Sequence, residues 1–296
     1  MTFYSGFVAI IGRPNVGKST LMNWLVGQKI AIVSNKPQTT RHQILSIIHG
    51  EDYQIALIDT PGIHTPKSKL GTHMVKAAET AVNDVDLVLL MVSCHDRVSI
   101  PAVLENDKND KNDKKVFLVV NKIDSIEKNK LLTLIDAYSQ LYDFDEIIPI
   151  SATKGENVDK LLAQIRLILP EGPPYFPADM ITDQQERQIA AEIIREKALF
   201  CLREELPHGI AVEIMSMKER KNNKLVDMEA TIYCDKASHK GMVIGKNGEM
   251  LKKIGTLARK ELSGLLEAPV NLQLWVKVKK DWRDNDFLLR NFGYTE

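Results

Sequence analysis

The 296-residue chain has little cysteine, no long apolar run and no net charge. Its three cysteines, Cys94, Cys201 and Cys234, are scattered, odd in number and without metal-ligand spacing. That excludes a disulfide scaffold and fits a reducing, cytoplasmic setting. No apolar stretch approaches the roughly 20 residues that span a bilayer. The start, "MTFYSGFVAIIG", lacks the basic opening of a signal peptide. In the C-terminal half no His, Cys or Asp residues are spaced as ligands, and His208 and His239 stand alone.

The zero net charge, 39 Lys+Arg against 39 Asp+Glu, hides an asymmetry. Residues 1–186 carry 19 basic and 23 acidic side chains, and residues 187–296 carry 20 and 16. Between Lys236 and Lys260 there are seven basic residues against one acidic, Glu249. An anionic partner for the C-terminal part is the physical implication.

The first half alternates short apolar runs with amphipathic stretches. Strands are expected at 7–11, 44–48, 53–59, 87–92, 116–121 and 147–151, several of them apolar throughout, as strands covered on both faces are. Helical periodicity at Ser19–Val26 and Val158–Leu169 completes an α/β, doubly wound, mostly parallel sheet. "NDKNDKNDK" (106–114) has no core-forming residue and reads as a solvated loop. "PEGPPYFP" (170–177) is a proline-rich break. The expected division is a nucleotide-binding domain over 1–170, a linker over 171–186 and a small α+β domain over 187–296. The latter begins with a long helix (188–206), followed by two strands around the polar turn Lys221–Lys224. A glycine loop, helical stretches to about Leu266 and a last strand over 270–280 complete it.

"GRPNVGKS" fits G-x-x-x-x-G-K-[ST] at Gly12–Ser19, between a strand and a helix. Its glycines let backbone N–H groups curl around phosphates. Lys18 supplies a cation at the β/γ-phosphates, and the Ser19 hydroxyl can ligate Mg²⁺. "DTPG" ends a strand about forty residues on. It places Asp59 to hold Mg²⁺ and the Gly62 N–H to touch the γ-phosphate. "NKID" ends another strand. Asp124 can accept two hydrogen bonds from guanine, a pair that adenine cannot supply. Asn121 ties the pocket together, the Lys122 stem can lie over the base, and "SAT" (151–153) offers a backbone N–H to guanine O6.

In this order the motifs resemble the translation-factor-related class of P-loop GTPases. The resemblance implies a nucleotide site lined by Gly12, Arg13, Pro14, Asn15, Val16, Gly17, Lys18, Ser19 and Thr20, by Asp59, Thr60, Pro61 and Gly62, and by Asn121, Lys122, Asp124, Ser151 and Ala152. It makes "PQTTRH" (37–42) the switch segment. Thr39 and Thr40 are both candidates to close on Mg²⁺ and the γ-phosphate, with Thr40 favoured. Lys18, Thr40 and Gly62 are then the catalytic residues, and Ser19, Thr40 and Asp59 the metal ligands. Where Ras-like GTPases carry a glutamine after D-x-x-G, this chain has Ile63, followed by His64. Slow intrinsic turnover is expected. Asn15 resembles the asparagine that ligates K⁺ in some relatives, although a purely structural role fits it equally.

"GMVIGKNGEMLKKIG" (241–255) carries the G-x-x-G form of a KH loop. Gly245 and Gly248 allow close approach of a nucleic-acid backbone, and Lys246 and Asn247 lie between them. Gly241, Ile244, Lys252 and Lys253 extend the candidate RNA surface, with Arg259 and Lys260 beyond. The order α-β-β-α-α-β is that of a type II KH domain. Together with "PQTTRHQI", "DTPGIH" and "AAEIIREKALFCLREELPH", it makes the whole chain resemble the Era family of bacterial GTPases. The resemblance implies GTP and GDP as ligands. It also implies binding to the 3′ region of 16S ribosomal RNA, a role in assembly of the 30S subunit, a cytoplasmic location and peripheral contact with the inner membrane. A monomer is expected. Three rivals remain: a modification enzyme that uses its nucleotide domain as a switch, a binding module in which GTP is structural, and a kinase on the same fold.

Overall fold

The computed structural model describes residues 2–34, 39–62, 68–83, 85–107, 114–202, 209–220 and 224–294. They form two compact units. The first comprises Met1–Ala31, Thr40–Thr65 and Met74–Asp183; the second comprises Ile32–Thr39, Pro66–His73 and Gln184–Glu296.

The first unit is built on a six-stranded sheet. In chain order the elements are β1 (Tyr4–Ile11), α1 (Lys18–Val26), β2 (Ile44–His49), β3 (Tyr53–Asp59), α2 (Lys69–Asn83, of which Met74 onward belongs to this unit), β4 (Leu87–Ser93), α3 (Ala102–Asp107), β5 (Lys115–Asn121), α4 (Lys128–Ser139), β6 (Glu146–Pro149) and α5 (Val158–Ile168). The strand order is β2-β3-β1-β4-β5-β6, parallel except for β2 against β3. Residues that alternate along a strand feed two cores. Leu87, Leu89 and Met91 pack with Leu21 of α1 and Leu161 of α5. Val88, Leu90 and Val92 pack with Val82 of α2, Leu104 of α3 and Tyr138 of α4. Every residue of β4 is buried, so it reads as an unbroken apolar run. β1 and β4 therefore end in the middle of the sheet, where a doubly wound fold opens a crevice for ligands.

The proline-rich stretch is fastened to this unit rather than hanging free. Ser5 N–H donates to the Pro170 carbonyl at 3.1 Å and Ser5 Oγ to the Pro173 carbonyl at 2.7 Å. Buried Gln54 donates to the Phe176 carbonyl at 2.8 Å and accepts from the N–H groups of Tyr175 and Phe176 at 2.7 and 2.9 Å. Further on, Ile47 N–H donates to the Ile181 carbonyl, so this stretch covers the exposed edge of β2. Prolines lack an N–H but keep their acceptor, which is the group used here.

In the second unit α6 (Glu186–Cys201) precedes β7 (Ile210–Glu219), β8 (Val226–Cys234), α7 (Ala237–Ile244), α8 (Glu249–Leu265), β9 (Val270–Val278) and α9 (Asp286–Asn291). The sheet order is β7-β8-β9, antiparallel and then parallel. The helices cover one face: Ile193 and Ala198 of α6, Val243 of α7, and Ile254, Ala258 and Leu262 of α8 meet Ile214, Ala230 and Val276 in one core. α6 stops at Cys201, short of the expected 206, and residues 203–208 lie outside the described set, as do 221–223 of the expected turn. β9 stops at Val278 rather than at 280. Within this unit Val33 N–H donates to the Glu196 carboxylate at 2.9 Å, and the Thr39 carbonyl accepts from wholly buried Arg195. After β9, fully buried Trp282 donates its indole N–H to the Gly209 carbonyl at 3.1 Å and packs on Phe292 and Tyr294.

Gln54→Ala leaves two part-buried N–H groups and one carbonyl without the buried amide that binds them. It should cost about 2 kcal/mol in urea unfolding and speed protease cleavage within 170–183. An unchanged unfolding midpoint and cleavage rate would show that the stretch is not anchored there.

Candidate functional site

The phosphate loop runs from the end of β1 into α1. Its turn is made by Gly12, Asn15 and Gly17, with φ of 153°, 65° and 110°. α1 opens on Gly17 with no side-chain cap and no acidic residue in its first turn, which leaves its N–H groups and positive dipole end toward the loop. Lys18 is nearly wholly buried, and its ammonium donates to the carbonyls of Gly12 and Arg13, each at 3.3 Å. Arg13 turns its guanidinium to Ser99 Oγ at 2.9 Å. Thr20 follows on α1, half-buried.

Three oxygen-bearing side chains converge at the head of α1. Ser19 Oγ donates to Asp59 Oδ2 at 2.7 Å, lies 2.9 Å from Thr40 Oγ1, and Thr40 Oγ1 is 3.5 Å from the same carboxylate oxygen. Asp59 is fully buried, and its Oδ1 has no hydrogen-bond partner among the described residues. Burial pushes the Asp59 carboxyl above its usual range, against the pull of Lys18, and pushes the Lys18 ammonium below its own, against the pull of Asp59. Two hydroxyls and a carboxylate with one orphaned oxygen are a donor set that suits a hard cation such as Mg²⁺. Thr39 is not in this group. Its hydroxyl donates to the Ser34 carbonyl at 3.5 Å. Both threonines are candidates by sequence, with Thr40 favoured, and it is the Thr40 hydroxyl that lies beside Ser19 and Asp59.

β3 delivers the D-T-P-G turn. Thr60 N–H and hydroxyl both bind the Ile10 carbonyl, at 3.4 and 2.8 Å, locking the end of β3 to β1. Pro61 and Gly62 are buried. A Cβ on Gly62 would lie 2.7 Å from the Pro14 nitrogen and 2.8 Å from its Cα. This backbone sits directly on the phosphate loop, and only glycine permits that. Ile63 and His64, where a water-orienting glutamine would be sought, lie outside the described residues, as do Pro37 and Gln38 of the switch segment.

The third motif closes the other side. Buried Asn121 donates to the Val16 carbonyl at 2.7 Å and accepts from Ala152 N–H at 2.9 Å, joining three loops. Lys122 Nζ donates to the Asn15 carbonyl at 2.8 Å. Asp124 Oδ1 accepts from Ser151 Oγ at 2.7 Å, and Lys154 lies 3.8 Å from Oδ2. The Ser151 hydrogen bond is the main reason its carboxyl stays below the usual range, so it is ionised and able to accept from a base edge. Sequence reasoning gave no cause to single out Cys94, His95 or Ser125, which stand behind this motif. The one clue was the position of Ser125 next to Asp124.

The second device lies between α7 and α8. Gly245 takes φ 73° and ψ 176°, Asn247 φ 51° and Gly248 φ 80°, and a short 3₁₀ turn, Lys246–Gly248, leads into α8. A Cβ on Gly245 would fall 2.6 Å from Met250 Cβ and 2.9 Å from its nitrogen. Gly241, Lys246, Asn247, Lys252 and Lys253 are exposed and Ile244 is half-buried; Arg259 and Lys260 are exposed further along α8. The buried stripe Ile254, Ala258 and Leu262 turns these cations outward. Among the described residues no group of three or more His, Cys, Asp and Glu could hold a metal ion.

Comparison with known proteins agrees with this geometry. The profile of the family described as "50S ribosome-binding GTPase" matches residues 7–122, and that of the KH domain matches residues 205–283. A GTPase Era from Ruminiclostridium cellulolyticum is 52% identical over 294 residues, 99% of this chain and 98% of that protein. One from Clostridium acetobutylicum is 55% identical over 292 residues, 99% and 98%. Two solved structures cover 99% of this chain and 100% of theirs at 43% identity. One is a point variant of Aquifex aeolicus Era bound to GDP·AlF₄⁻, with a TM-score of 0.93. The other is Era in complex with MgGDPNP and nucleotides 1506–1542 of 16S ribosomal RNA, with a TM-score of 0.94.

Gly62→Ala should lower phosphate release from GTP by about 100-fold, the order expected when a backbone contact to the transferring group is displaced, and more than it lowers GDP affinity. An unimpaired rate would mean that Gly62 does not approach the γ-phosphate.

Proposed function

The chain belongs to the Era family of GTPases, and on that footing we propose that it is an RNA-directed switch that binds the 3′ region of 16S ribosomal RNA and assists assembly of the small subunit. It hydrolyses GTP to GDP and phosphate. The observation that carries the RNA part is that a 43% identical relative, matched over 99% of this chain, has been solved with MgGDPNP and nucleotides 1506–1542 of that RNA. The Gly245–Gly248 turn of this chain, with exposed Lys246 inside it and exposed Lys252 and Lys253 after it, supports the same reading.

In this proposal the N–H groups of the phosphate loop and of the first turn of α1 bind the phosphates, and Lys18 supplies the cation at the β/γ oxygens. Ser19, Thr40 and Asp59 hold Mg²⁺, which offsets charge on those oxygens when bound. Gly62 N–H meets the γ-phosphate. Asn121, Lys122, Asp124, Ser151 and Ala152 hold the guanine base. Turnover is slow because Ile63 cannot orient the attacking water, and Asn15 recruits K⁺, which offsets transition-state charge. The 1–170 region carries GTP, the 187–296 region carries RNA through Gly241, Ile244, Gly245, Lys246, Asn247, Gly248, Lys252 and Lys253, and residues 171–186 join them. GTP closes Thr40 and the D-T-P-G turn, and hydrolysis lowers affinity for the particle. The protein works as a monomer in the cytoplasm, with peripheral contact at the inner membrane. No helix among the described residues is long and apolar enough to cross a membrane.

Two experiments test separate parts. Gly245→Asp should weaken binding to a single-stranded RNA copied from the 3′ end of 16S ribosomal RNA at least about tenfold, by adding charge where a phosphate approaches, while leaving GTP hydrolysis unchanged. RNA binding that survives would reduce the loop to a helix cap. Phosphate release compared in matched potassium and sodium salts should be faster in potassium; equal rates would remove the K⁺ role from Asn15.

A further inference from the structure

The guanine motif rests on a residue in an uncommon conformation. Lys122 has φ 67° and ψ 32°, the left-handed region that a non-glycine residue rarely enters without support. Asp124 follows two residues later, so the direction of its carboxylate depends on how firmly the Lys122 peptide is held.

That peptide is held from behind by residues outside the nucleotide motifs. The Lys122 carbonyl accepts from Ser125 N–H at 3.0 Å, from Ser125 Oγ at 2.6 Å and from the Cys94 thiol at 3.2 Å. Cys94, nearly wholly buried, also donates its N–H to the Asn121 carbonyl at 3.0 Å. His95 Nε2 lies 2.8 Å from Ser125 Oγ. A serine hydroxyl has one proton, and here it goes to the Lys122 carbonyl. Ser125 is therefore the acceptor toward His95, and Nε2 must carry the imidazole hydrogen. The result is a directed relay, His95 Nε2–H to Ser125 Oγ–H to Lys122 C=O.

The relay has a fixed base. Cys94 and His95 follow β4 directly, and the last residue of β4, Ser93, stands in register with Asn121 of β5. Ser93 N–H donates to Asp96 Oδ2 at 3.1 Å, Asp96 N–H returns to the Ser93 carbonyl at 2.9 Å, and His95 N–H donates to Ser93 Oγ at 3.3 Å. The turn that carries the thiol and the imidazole is thus locked to its own strand before it touches the guanine motif.

We propose that Cys94, His95 and Ser125 are positioning residues for guanine selectivity: together they clamp the left-handed Lys122 peptide and so aim the Asp124 carboxylate at the base. The proposal rests on the reading of Asp124 as the guanine acceptor. None of the three belongs to a nucleotide motif, and each acts through Lys122. The selectivity of the site therefore extends to the loop after β4, which the nucleotide motifs do not include.

The test compares binding of GDP with that of inosine diphosphate, which keeps N1–H but lacks the exocyclic amine. The ratio of the two affinities isolates the second hydrogen bond to Asp124, the one most sensitive to the direction of the carboxylate. His95→Ala and Ser125→Ala should each shrink the preference for GDP by about tenfold, the scale of one charge-assisted hydrogen bond. They should raise KM for GTP while leaving kcat at saturation unchanged, because the phosphate machinery is untouched. His95→Gln and Cys94→Ser, which keep a donor, should retain the preference, and Cys94→Ala should not. Equal loss of affinity for both nucleotides, with their ratio preserved, would show a mere scaffold and overturn the proposal. So would an unchanged ratio in His95→Ala and Ser125→Ala. Asp124→Asn is the control: if its preference for GDP survives, the pocket reading fails rather than the relay.

Discussion

A lysine ammonium and a carboxylate, both almost wholly withdrawn from water, share the head of α1, and the first unit is arranged around that pair. Burial drives Lys18 and Asp59 toward their neutral forms, and each is part of the other's compensation. Such a pair is a poor source of stability by itself. It is well suited to a ligand that brings negative phosphates to the lysine and a divalent cation to the carboxylate. The surrounding choices follow from this. Ser19 and Thr40 add hydroxyl oxygens beside Asp59, α1 carries no acidic residue in its first turn, and Gly62 lets a second backbone lie on the phosphate loop. The sheet supplies the rigidity, because β1 and β4 end in the interior between two cores.

The same physical device recurs in the second unit in open form. α1 and α8 both begin after a glycine in the left-handed region, Gly17 and Gly248, and neither has a side-chain cap. At α1 the cation is buried and aimed inward, which suits a compact polyphosphate. At α8 the lysines are exposed and spread along the helix, with Glu249 among them, which suits a polymer backbone held more weakly and in a salt-dependent way. Backbone geometry makes both sites anion-friendly, and burial decides how tightly each is defined.

Much of this was legible in the sequence because it is local. The apolar runs became the six strands of the first sheet, and each nucleotide motif sits at a strand end. The glycine loop falls between two helices as its spacing implied. The rest depends on contacts between distant positions. The proline-rich stretch reads as a linker, and its composition carries no sign of Gln54, more than a hundred residues away, which binds it. α9 is only six residues long and shows no periodicity, and its place is set by the packing of Trp282, Phe292 and Tyr294. Thr39 and Thr40 are equivalent as letters; only the chain direction sends one hydroxyl to Ser34 and the other to Ser19. Cys94 and His95 belong to no motif, and their hydrogen bonds to a loop some thirty residues on leave no mark in the sequence.

The central claim is that the two phosphate-binding devices form one switch, so that the nucleotide in the first changes affinity at the second. The direct measurement is a titration of the protein with a single-stranded RNA copied from the 3′ end of 16S ribosomal RNA, once saturated with a non-hydrolysable GTP analogue and once with GDP, at one salt concentration. The account predicts tighter RNA binding with the analogue and, reciprocally, tighter analogue binding in the presence of RNA. Equal RNA affinity in the two nucleotide states would contradict it and leave two independent binding sites in one chain.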